Sequence, residues 1–219
     1  MRPGAELDVV DLAAGVVLAG AILTLWRKDL RALISMLSLQ GAALATVAAV
    51  LAVHDGDVGL GAVAGVVLLA KGLVIPGLLR RVVRADPGSR EATPLVNVPA
   101  SLVMAAILVV VSYLVAGSLT ALVPDPLTRL APLGIATVLV GYFVLVTRRK
   151  AVSQIVGLLL LDNGVALVAF LLTAGFPVVV ELGASLDVLL VVVVLQVLAT
   201  TMRARFGHVD LDQLRELHD

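Results

Sequence analysis

Long apolar tracts alternate with short charged clusters along this chain. Between Lys28 and His54 the only charges are Asp29 and Arg31, both at the start of the tract. A helix that crosses a bilayer needs about 20 mostly apolar residues, and tracts of that length recur. The pattern predicts seven spans, at roughly 8–26, 32–53, 58–79, 98–123, 129–147, 151–174 and 177–201. The stretch 80–99, RRVVRADPGSREATPLVNVP, carries Pro, Gly, Ser and charge and reads as a linker between spans three and four. The tail 206–219 reads as polar, with a short helix possible after Asp210 or Asp212. The fold expected is an all-α integral membrane protein forming a single polytopic domain over 1–219.

Composition agrees with the tracts. Hydrophobic residues make up 60% of the 219, charged residues 15%, and the mean hydropathy is +1.10. A soluble domain has about 45–50% apolar and 25% charged residues. The first span follows Glu6, Asp8 and Asp11 and lacks a basic leader region, so it is expected to be retained.

The basic residues fix an expected orientation. Thirteen Lys and Arg residues fall in the connections after spans one, three, five and seven, and only Arg2 and Arg129 fall on the other side. The positive-inside rule makes the basic side cytoplasmic. The N-terminus is then outside, the C-terminus inside, and the membrane the cytoplasmic one of a prokaryote.

Several chemistries are excluded or unsupported. The chain has no cysteine, which removes disulfides, thiolate chemistry and Cys-ligated iron–sulfur or zinc sites. His54, His208 and His218 lie in connections or the tail without metal-site spacing. No Gly-rich phosphate loop or nucleophile elbow occurs, and nothing in the pattern points to nucleic acid. No catalytic centre and no cofactor site is expected in this chain.

The polar residues inside the spans carry the remaining signal. Asp162 lies mid-span in QIVGLLLLDNGVALVAF, and Asp187 lies about ten residues into span seven. A short turn near 174–177 joins these spans, so the two acids are expected at matching depth. Intramembrane acids commonly mark ion or proton pathways or pair with one another. A proton path and a pair of buried hydrogen-bonding groups are the two readings, the first favoured.

Lys71 is the only basic residue deep in a span, and Pro76 follows five residues later. Proline removes the helical partner of the Gly72 carbonyl and tends to kink the helix. An ammonium beside a free carbonyl would make a polar station if Asp162 or Asp187 lay opposite; a buried structural ion pair is the equal alternative. Glu181 lies nearer the outer surface, on a face different from that shared by Gly183 and Asp187. It reads as a path entrance or an interfacial acid. Gln40 and Gln154 read as helix–helix hydrogen-bonding groups, and Gly61 with Gly65 as a close-packing pair.

Spans 2–3 and 6–7 are both hairpins with basic starts and polar residues mid-span, Gln40 and Lys71 matching Asp162 and Asp187. This suggests a 3+1+3 repeat in which span four is the connector.

Two of these stretches together resemble a known family. QIVGLLLLDNG, followed by PVVVELGASLDVLLVVVVLQVL, resembles the HyfE-like membrane component of hydrogenase-4 and formate hydrogenlyase-type complexes. The K-G-x-x-x-P run at Lys71–Pro76, the length and the span count look like that family too. The last three spans are similar to the small K subunit of complex I and the C subunit of Mrp-type antiporters. Those relatives typically carry Glu where this chain has Asp162.

The resemblance implies a non-catalytic subunit of a complex-I-like oxidoreductase. Its partners would be large antiporter-like membrane subunits and a soluble redox arm holding any Ni–Fe or iron–sulfur centres. Asp162, Asp187, Lys71 and Glu181 would then contribute to proton or ion movement. A structural adaptor in an Mrp-antiporter-like assembly is the alternative. A free-standing secondary transporter fits less well, because no pair of broken helices or substrate-sized polar cluster is evident.

Overall fold

A computed structural model describes residues 3–85, 95–122 and 126–172. It is helical throughout, with no strand among the described residues. Helix α1 runs over Pro3–Trp26, α2 over Leu30–Asp55 and α3 over Val58–Val67. A π-helical segment, Leu68–Val74, continues α3 directly into α4, Ile75–Ala85. Then come α5 (Val98–Leu122), a 3₁₀ turn (Thr128–Leu130), α6 (Ala131–Thr147) and α7 (Ala151–Leu172).

Local chemistry starts and stops these helices where the charge clusters lie. The Asp29 carboxylate accepts the Arg31 N–H at 3.0 Å and caps α2. Gly56, with φ of 66°, adopts the left-handed conformation that ends α2. One residue later the Asp57 carboxylate accepts from Gly59 and Leu60 and starts α3. Asn97 does the same for α5, taking the Ala100 N–H at 2.9 Å.

Among the described residues, six helical stretches are long and apolar enough to cross a bilayer: Ala5–Trp26, Leu30–Asp55, Val58–Arg81, Val98–Gly117, Thr128–Thr147 and Val152–Leu172. They match the first six expected spans closely. The expected seventh, 177–201, and the tail lie outside the described residues. The linker expected over 80–99 begins later than its charges suggested. Helix α4 carries Arg80, Arg81 and Arg84 on its last turns to Ala85, because charged side chains are good helix formers once clear of the apolar layer.

Helices α1 and α2 form one hairpin and α6 and α7 another; α1 packs on α6, and α2 on α7. Each helix of one hairpin therefore packs on one helix of the other. Helix α5 lies at the edge, with Val103, Ile107, Val110 and Leu114 exposed along one side.

The closest approaches are made through glycine. A Cβ on Gly157 would stand 2.6 Å from the Leu145 backbone nitrogen, and one on Gly164 2.5 Å from that of Val138. Gly134 and Gly141 present matching gaps from α6. The seven-residue spacing places each pair on one face two turns apart. Among the described residues the expected pair has no such contact: at Gly65 a Cβ would meet nothing within 4 Å, and at Gly61 only the Ala52 Cβ at 3.8 Å. Both of these glycines are exposed.

Polar contacts tie the two ends of the bundle. At one end the Glu6 carboxylate meets His54 at 3.0 Å and Asp11 meets Arg129 at 3.0 Å. At the other, Arg148 is 3% exposed and donates to the carbonyls of Thr24 at 3.0 Å and Arg27 at 3.4 Å. It closes the C-terminal end of α1, where free carbonyls and the helix dipole favour a cation. Gln154, expected to join helices, donates instead to the nearby Arg148 carbonyl at 3.1 Å and steadies the α6–α7 turn.

Candidate functional site

The mid-bundle polar residues converge from three helical segments. Lys71 lies in the π segment, Gln40 on α2, and Asp162 with Asn163 on α7. Asp162 is eleven residues from the start of α7 and ten from its end, which at about 1.5 Å per residue is roughly 15 Å from either. That is half the thickness of a hydrocarbon layer, which is about 30 Å.

The Lys71 ammonium lies 2.6 Å from a carboxylate oxygen of Asp162, and the two side chains are 5% and 17% exposed. Asp162, one of the two acids offered as partners, makes this contact; Asp187 and Glu181 lie outside the described residues. Pairing removes most of the cost of a carboxylate at mid-membrane, which for an unpaired acid is on the order of 3 kcal/mol even on the lenient insertion scale. The residual exposure belongs mainly to Asp162.

The amides form a second tier beside the pair. Gln40 is fully buried; its side-chain N–H donates to the Val17 carbonyl on α1, and its oxygen accepts from Asn163 at 3.3 Å. Gln40 is thus the helix–helix group expected of it, linking α1, α2 and α7. Gly20 makes room for it, since a Cβ there would lie 2.9 Å from the Gln40 Cγ. Asn163 directly follows Asp162, so this bond also holds the α7 turn that carries the acid.

The helix around Lys71 is where expectation and structure differ. Pro76 does remove the usual partner of the Gly72 carbonyl, but the carbonyl is not free. The Ser38 hydroxyl on α2 donates to it at 2.5 Å. The backbone here winds as a π segment, with the Ile75 N–H reaching the Ala70 carbonyl five residues back. Gly41, one turn after Ser38, lets α2 touch this segment: a Cβ there would stand 2.5 Å from the Lys71 carbonyl carbon. Ser38 and Asn163 had a visible signal, as polar residues in otherwise apolar runs next to Gln40 and Asp162.

Chemically, the arrangement is an ion pair between a titratable amine and a titratable acid, supported by neutral amides in an apolar bundle. It can hold, exchange or relay a proton. Among the described residues no group of acids and histidines is placed to hold a metal ion.

These features define a class: a multi-helix protein built for the bilayer around a buried Lys–Asp pair. No protein-family model and no solved structure matches the chain. Over 212 residues, 96% of each chain, it is 47% identical to the uncharacterized protein Rv0085 of Mycobacterium tuberculosis, and it belongs to that protein's family.

Proposed function

We propose that the chain is a non-catalytic membrane-arm subunit of a complex-I-like oxidoreductase of the hydrogenase-4 or formate hydrogenlyase type. In this reading it spans a prokaryotic cytoplasmic membrane seven times with its basic connections inside. The Lys71–Asp162 pair takes part in proton or ion coupling, with Asp187 and Glu181 continuing the path. Redox centres belong to partner subunits, and the other neighbours are large antiporter-like chains.

The observation that carries the reading is the pair itself, 2.6 Å apart and at the middle of the bundle. Lysine and aspartate can both gain or lose a proton, which an arginine in the place of Lys71 would not do. The resemblance of the Asp162–Gly164 and Lys71–Pro76 motifs to the HyfE-like family supplies the context. The burial of both partners also favours a second reading, in which the pair is structural and the chain is an adaptor in an Mrp-antiporter-like assembly.

Affinity purification of the tagged chain from its native membrane in mild detergent tests the assembly. Co-purification of antiporter-like subunits with a redox arm is the expected result. Antiporter-like subunits without redox partners favour the adaptor, and an active cofactor-bearing single chain contradicts both readings.

A further inference from the structure

We infer that Ser38 is a positioning residue for the Lys71–Asp162 pair, acting through the Gly72 carbonyl; its importance for coupling rests on the function proposed above, but the geometry does not.

Pro76 has no N–H, so the Gly72 carbonyl lacks its partner four residues on. In an apolar bundle an unpaired carbonyl is expensive, and the helix would shift to find a donor. Ser38 supplies one from α2 at 2.5 Å. That bond fixes the Gly72–Leu73 peptide, one residue beyond Lys71, inside a π segment whose looser winding allows more than one register.

A second contact acts on the preceding peptide, Lys71–Gly72, from the same face of α2. Gly41 lies one turn beyond Ser38, and only its missing side chain lets the Lys71 carbonyl group approach so closely. Ser38 therefore pins the Gly72 carbonyl while Gly41 admits the Lys71 backbone beside it. With that backbone held against α2, the lysine side chain extends to Asp162 on α7, the helix that α2 also contacts. Without the hydroxyl the π segment is free to rewind, and its rotation carries the ammonium away from the acid.

Solid-state NMR on the full chain in lipid bilayers reads this directly, using ¹⁵N at lysine Nζ and ¹³C at aspartate Cγ. The wild-type Nζ–Cγ cross-peak is assigned by its loss in Asp162→Asn. Three variants then separate hydroxyl from volume: Ser38→Ala, Ser38→Thr and the Thr isostere Ser38→Val. The expected result is loss of the cross-peak in Ala and Val and its retention in Thr. Retention in all three overturns the proposal, and so does loss in all three, since then packing and not the hydroxyl sets the geometry. A positioning role that fails this test leaves the pair's function open. A pair that proves dispensable for coupling leaves the NMR result unaffected.

Discussion

The ammonium of Lys71 and the carboxylate of Asp162 meet 2.6 Å apart across the centre of the bundle, joining the π segment to α7. Breaking a buried pair from one side leaves a lone charge, which typically costs about 3–5 kcal/mol. Replacing both partners by apolar residues of similar size removes the lone charge as well. Lys71→Met and Asp162→Leu should therefore each destabilise the chain strongly, while the double variant should lose far less than the sum. Unfolding in bilayer-mimetic micelles measures this cycle, and strictly additive losses would argue that the charges do not interact.

The Gln40–Asn163 bond predicts a smaller effect. Gln40→Leu strands the Asn163 amide and removes a second bond to the Val17 carbonyl, which lies within α1. Hydrogen bonds between membrane helices are worth about 0.6 kcal/mol on average, up to roughly 1.7, so a loss near that upper range is expected from this doubly bonded side chain. The same unfolding assay reads it, and a stability equal to wild type would mean that the amide bonds carry nothing.

Glycine at 164 predicts a steric failure. A side chain there would run into the Val138 backbone, which cannot yield without parting α6 from α7. Gly164→Val should cost more than the roughly 1–3 kcal/mol typical of overpacking, whereas Gly65→Val, in open space, should be nearly neutral. Comparing yields and melting temperatures of the two variants in detergent tests the contrast.

Much of this fold is legible in the sequence, because apolar tract length and the basic connections are set by the solvent each segment meets. The first six expected spans match six helices to within a few residues. The polar residues are legible individually for the same reason: Lys71, Asp162 and Gln40 stand out against their neighbours. Which of them meet is not legible. Depth along a helix places several polar groups level with Lys71, and its contact with Asp162 depends on how the helices pack. The π segment is hidden for a related reason, since it depends on a donor from another helix, Ser38. Glycine spacing at Gly61 and Gly65 marks one face without saying what covers it, and among the described residues nothing packs closely there.

Orientation gives a separate prediction. The absence of native cysteine makes single-cysteine labelling simple. Lys28 and Asp55 are exposed at opposite ends of the α1–α2 hairpin. With the basic connections inside, an impermeant thiol reagent on intact cells should label Asp55→Cys and spare Lys28→Cys. The reverse pattern would invert the proposed topology.

The decisive measurement is ion movement driven by electron flow in the assembled complex carrying Asp162→Asn, reconstituted into liposomes. The amide keeps the size and hydrogen bonding of the acid but cannot ionise or hold the Lys71 ammonium as a charge partner. If the pair is a coupling element, the variant complex assembles and transfers electrons, but coupled ion movement falls to background. Wild-type coupling efficiency in a normally assembled Asp162→Asn complex would contradict a coupling role and leave the pair as a structural contact.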